Sequence, residues 1–153
     1  MKKIVERQLL LWDASRHGVE PYRCTLVFRR ADPFAVDLVF PVRDITKVTN
    51  DQLRVHPDSR DDAISVVITF SRTLVIDGME APAGAGTVRI EPHIVDRDYI
   101  TITLPLTAAG VEFYAERRSL EAFVDATCRM VPLGAELAPA GRELDRWLGE
   151  VSA

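Results

Sequence analysis

The sequence is short of the residues that build most catalytic and metal centres. Two cysteines, Cys24 and Cys128, among 153 residues are too few for a disulfide framework or a four-thiolate metal site. The three histidines, His17, His56 and His93, lie in separate segments with no metal-like spacing. No apolar run approaches the roughly 20 residues that a membrane-crossing helix needs. Lysine is nearly absent, 3 residues against 16 arginines, and the formal charge is −4. Proteins that live by neutralising phosphate are usually basic, so the balance speaks against dedicated nucleic-acid binding. Aromatic residues are only 7% of the chain. The opening Met1-Lys2-Lys3-Ile4-Val5-Glu6-Arg7 is broken by charge and does not read as a secretion signal, so a cytosolic location is expected.

What remains is ordinary globular composition, with 47% hydrophobic and 27% charged residues and 17 Gly plus Pro, expected as one domain over residues 1–153. Period-two alternation dominates the first two thirds. Ile4–Trp12, Tyr22–Phe28 and Phe34–Phe40 each place apolar side chains on one face, the mark of a half-buried strand. Asp32-Pro33 between the last two reads as the turn of an antiparallel hairpin. From Val42 to Ala63 the pattern lapses into a charged loop, with room for a short strand or helical turn near Gln52–Val55. Strands are expected again at Ile64–Phe70, at Leu74-Val75-Ile76, around Val88–Ile90 and over Ile100–Leu106. The period then changes. Leu120, Phe123, Val124, Thr127 and Val131 form a helical stripe, with Ser119 as N-cap and Pro132 and Gly134 as the stop. A second helix fits Arg142–Val151. The order points to an α+β fold of antiparallel sheets with two C-terminal helices.

No catalytic, cofactor-binding or metal-binding set emerges. His56 beside Pro57 and Asp58, and the trio Asp58, Asp61 and Asp62, lack the partners of a metal site and read as a solvated loop. Cys24 is expected to face the core and Cys128 to lie beside a helical stripe, without the cationic setting that activates a thiol. No serine has a G-x-S-x-G setting. Gly84-Ala85-Gly86 precedes a strand and reads as a tight turn, where a phosphate loop would open a helix. Arg29-Arg30 and Arg117-Arg118, with Tyr22, Phe28 and Tyr114 nearby in sequence, carry a faint trace of the stacking-plus-cation recipe for single strands.

Four ordered segments do carry identity. They are Ala31-Asp32-Pro33-Phe34-Ala35-Val36; Phe70-Ser71-Arg72-Thr73-Leu74 with Asp77-Gly78; Pro82 to Ile90 with Pro92; and Leu120 to Val124 followed by Val131-Pro132-Leu133-Gly134-Ala135-Glu136. Together they resemble the SsgA-like family of actinobacteria, over roughly residues 21–148. Thr87 stands where the family usually has Asp. The resemblance implies a noncatalytic regulator of sporulation-specific cell division. It would act by protein contact with the tubulin-like FtsZ and other septum factors, without cofactor or small-molecule substrate. It also implies a Whirly-like fold and a homotrimer. Whirly relatives make single-stranded nucleic-acid binding the alternative function. Arg72 and Arg89 are read as strand arginines, in surface ion pairs or facing a partner, and no partner-contact residue can be named.

Overall fold

The computed structural model describes residues 2–43, 47–51, 53–57 and 64–137. The fold is α+β: among the described residues, eight antiparallel strands form one continuous ribbon, accompanied by two helices. The strands are β1 (Ile4–Asp13), β2 (Tyr22–Arg29), β3 (Asp32–Val42), β4 (Arg54–Pro57), β5 (Ile64–Ser71), β6 (Arg89–Pro92), β7 (Tyr99–Leu104) and β8 (Val111–Glu116). The helices are α1 (Arg72–Gly78) and α2 (Arg117–Met130). Spatial order is β4-β5-β3-β2-β1-β8-β7-β6. β1 is the shared strand: Ile4–Leu11 pair with β2, whereas only Trp12 and Asp13 pair with β8. The two halves therefore turn toward each other across the core. Phe113 of β8 lies 5.3 Å from Phe40 of β3 and 5.9 Å from Tyr22 of β2, ring centre to ring centre.

The alternation explains the core. Leu9, Leu11, Cys24, Leu26, Phe28, Val36, Leu38 and Ile68 line one half, and Ile90, Ile100, Ile102, Phe113 and Ala115 the other. Leu120, Phe123 and Val124 of α2 join the same core, so the helical stripe is buried as its spacing requires.

Several expectations need correction. The β2–β3 hairpin is present, with Phe28 opposite Val36, but its turn is Arg30-Ala31. Asp32 and Pro33 already belong to β3, beside a register shift at Phe28/Arg29. An irregular strand end tolerates a residue with no N–H to donate. In the stretch Val42–Ala63 the room for a short strand near Gln52–Val55 is filled by β4, which pairs with β5. Leu74-Val75-Ile76 is not a strand but the middle of α1. Ser71 Oγ accepts the Leu74 N–H at 3.1 Å, and Arg72, Val75 and Gly78 fall on the buried face. Capping and tertiary burial outweigh the β-propensity of two branched residues. Ser119 is not an N-cap: α2 springs directly from β8 at Glu116, and Asp98 O accepts the Arg117 N–H at 2.8 Å, serving one donor that a cap would have served. β8 is a further strand beyond those expected, with Val111, Phe113 and Ala115 alternating inward. The helix expected at Arg142–Val151 lies outside the described residues.

Candidate partner-binding surface

The residues that carry chemistry do not converge. His93 serves its own loop: Nδ1 accepts the Val95 N–H at 3.2 Å and the Asp96 N–H at 2.9 Å, and its ring stands edge-on to Tyr114 at 4.8 Å. His56 sits in β4; Asp58, Asp61 and Asp62 lie outside the described residues. Among the described residues no group of three or more His, Cys, Asp or Glu can hold a metal ion. Burial pushes the Cys24 thiol up to about 12 against the small opposing pull of Arg43, which leaves it a protonated, inert hydrophobe. Cys128 is half-buried.

Several residues of the stacking-plus-cation recipe are committed within the fold. Phe28 is fully buried. Tyr22 lies against Phe40 at 4.6 Å, with the Arg43 guanidinium 4.1 Å above its ring. Arg29 is committed to Asp37 at 2.6 Å, and Arg117 donates to Arg97 O and Met79 O at 2.6 and 2.7 Å. A groove of about 440 Å³ near Asp98 and Tyr99 mixes Glu116 and Glu121 with Arg117 and Arg118. Another, of about 510 Å³, is lined by Thr49, Thr87, Thr103 and Thr107 and has no histidine, cysteine or serine.

The motif residues do converge, on structure. Arg72, expected on a strand surface, is 1% exposed at the start of α1. Its Nη1 donates to Val131 O at 2.7 Å and, more weakly, to Thr127 O at 3.4 Å; its Nη2 donates to Glu136 Oε1 at 2.8 Å; its guanidinium lies 5.0 Å from the Phe28 ring centre. Thr127 and Val131 mark the carboxyl end of α2, where unpaired carbonyls collect partial negative charge. One buried cation thus ties α1, β2, the end of α2 and the Val131–Glu136 segment together. The Glu136 carboxyl is held below its ordinary range, first by its own backbone N–H. Partial burial opposes this, and the Arg72 guanidinium and the Gly134 N–H add to it.

Gly78 abuts β6: a Cβ there would come within 2.5 Å of Ile90 Cβ and 2.8 Å of Ile90 O. Its need is space, not an unusual φ. Gly84 does need φ, at +102°, in the turn that bridges Ala83 to Ile90. Gly86 has open space and no positive φ. Arg89, in contrast, forms a surface pair with Glu91 at 3.3 Å.

Two parts of the surface stand out among the described residues. Across the outward face of the larger half, Thr25, Val39 and Val67 stand side by side and half-buried, with Val27 and Asp37 one row away. Asp37 accepts from Arg29 and from Thr69 Oγ1, both at 2.6 Å. At the opposite end the β6–β7 loop presents Ile94 and Val95, 96% and 86% exposed, on a frame fixed by the His93 bonds. Exposed apolar side chains grouped on a surface are a common feature of contact sites.

Residues 22–136 match the family model described as Streptomyces sporulation and cell division protein, SsgA. The chain is 29% identical over 117 residues to sporulation-specific cell division protein SsgB of Salinispora tropica, covering 76% of this chain and 71% of that one. It is 30% identical over 113 residues to a sporulation-specific cell division protein of Frankia casuarinae, covering 73% of this chain and 65% of the relative. Among solved structures, one from work on SsgB mutations that correlate with longitudinal cell division during sporulation of Streptomyces coelicolor superposes with TM-score 0.65. Its identity is 26%, over 89% of this chain and 95% of that one. An SsgA-like sporulation-specific cell division protein from Thermobifida fusca shares the fold at 24% identity and TM-score 0.61, over 96% and 92%.

Proposed function

Because the chain belongs to the SsgA family of sporulation and cell division proteins, we propose that it acts as a noncatalytic regulator in sporulation-specific cell division, recruiting FtsZ or marking septum sites through protein–protein contacts. The observation that carries this reading is the family match over residues 22–136, whose motif residues are spent on architecture around Arg72. A family that invests its most recognisable residues in holding a shape uses that shape as its working part. The relatives are named for cell division and not for a reaction, which supports the noncatalytic reading.

Self-association into a trimer belongs to the same proposal. The half-buried Thr25–Val39–Val67 row supports it, since an outward apolar row on a sheet is a natural place for copies to meet. Among the described residues no helix is long and apolar enough to cross a membrane, so a place at the septum would rest on partners.

The test is capture of purified FtsZ by the purified chain, with light-scattering mass on the same sample. The proposal expects FtsZ retention and a threefold mass. A monomer that leaves FtsZ in the flow-through contradicts it.

A further inference from the structure

β1 meets β8 only at Trp12 and Asp13, so its first half has a strand neighbour on one side alone, and α2 packs near the other. A half-open groove of about 290 Å³ runs between them. Its walls are Lys2, Arg7, Arg30 and Arg129, and its floor includes Ile4 and Met130; among the described residues no carboxylate lines it. In a chain of net charge −4, this concentrates one sign of charge against the overall trend. Lys2, Arg7 and Arg129 are exposed, and among the described residues none of the three is ion-paired; Arg7 Nη1 donates to Glu6 O at 2.9 Å.

The carboxyl end of α2 would ordinarily weaken such a field. Here Arg72 satisfies the Thr127 and Val131 carbonyls from inside, so the outer cations keep their reach. Like charges gathered in one concavity repel, and an anion entering it relieves that repulsion. Three features choose the anion. Ile4 is 47% exposed and Met130 half-buried, an apolar floor that suits an aliphatic side chain. Among the described residues no aromatic ring lines the groove, so bases find no stacking platform there. The volume lies at or below the ~300–1,000 Å³ of an enclosing small-molecule pocket, which favours a chain segment lying across it. Guanidinium forks match carboxylates in pairs.

We propose that this groove docks an acidic peptide segment of a partner protein, in which Asp and Glu side chains flank an aliphatic residue. This rests on the reading that the chain works by protein contact, and it adds the surface and the partner's chemistry.

The experiment is fluorescence anisotropy of the full chain with a labelled eight-residue peptide of Glu and Asp around a central leucine. The expected result is saturable binding that weakens steeply with salt, falls about tenfold in R7E/R129E, and falls measurably when the leucine becomes serine. The neutral variant R7Q/R129Q, with an unchanged melting curve, should lose affinity too, which separates lost charge from lost folding. Absence of saturable binding, or equal affinity in the charge-reversed variant, overturns the proposal. So does tighter binding of a single-stranded oligonucleotide of equal charge or of phosphatidylserine vesicles. FtsZ capture by R7E/R129E is run in parallel. Undiminished capture overturns the groove as the docking site while sparing the family role. Wild-type chain that binds the peptide yet ignores FtsZ supports the groove and contradicts FtsZ as its partner.

Discussion

Replacing Arg72 with methionine removes the cation but keeps most of the volume. Val131 O and the Glu136 carboxylate then lose partners at 2.7 and 2.8 Å, and nothing in the new side chain can donate to them. Breaking a buried pair by deleting one member costs about 3–5 kcal/mol. A separate count agrees: two short charge-assisted hydrogen bonds at roughly 1.5–3 kcal/mol each span about the same range. For a chain of this size about 2–4 °C accompanies each kcal/mol, so the melting temperature should fall by about 6–20 °C. Arg72→Lys should fall between, since an ammonium cannot present the planar fork to the carbonyl and the carboxylate together. Urea unfolding followed by circular dichroism gives the free energy. Amide exchange gives the location, with the last turn of α2 losing protection before the strands do. A loss below about 1 kcal/mol is what a surface ion pair is worth, and would refute Arg72 as the buried tie between α1 and α2.

The Glu136 carboxyl is held below its ordinary 4.5, so its contribution is present above that value and lost as pH falls through the lower folded one. Wild type should exceed Glu136→Gln in urea midpoint at pH 6, and the gap should narrow as pH is lowered stepwise below 4.5; a gap that stays constant over the whole acid range would contradict the linkage. Gly78→Ala should cost about 1–3 kcal/mol by forcing Ile90 and β6 outward, read by thermal melting; an unchanged melt would show that β6 yields freely. Cys24, with its thiol pushed up to about 12, should resist iodoacetamide in the native state and label fully in denaturant, as peptide mass spectrometry can show. Native labelling at Cys24 would mean that the strand opens.

What was legible followed from period. The β2–β3 pairing and the buried stripe of α2 were written in spacings of two and of three to four, because each of those surfaces meets one core. What was illegible depended on contacts distant in sequence. Nothing local marks Arg72 as buried, because its partners lie at Thr127, Val131 and Glu136, and charge by itself argues for exposure. The same remoteness hid α1: Ser71 supplies a local cap, but the branched Val75 and Ile76 mask it until the buried face of the helix is known. β8 was legible in Val111, Phe113 and Ala115, and its signal simply passes straight into a helix with no turn between. The cationic groove joins residues near the start of β1 to the end of α2, a juxtaposition that exists only once the sheet has closed over the helix.

The most direct measurement is the position of a fluorescently tagged copy in sporulating actinomycete hyphae, imaged together with FtsZ. Regularly spaced foci that coincide with FtsZ at future septa are the predicted result. An even haze along the hypha, unchanged as FtsZ rings assemble, would contradict a role in placing division.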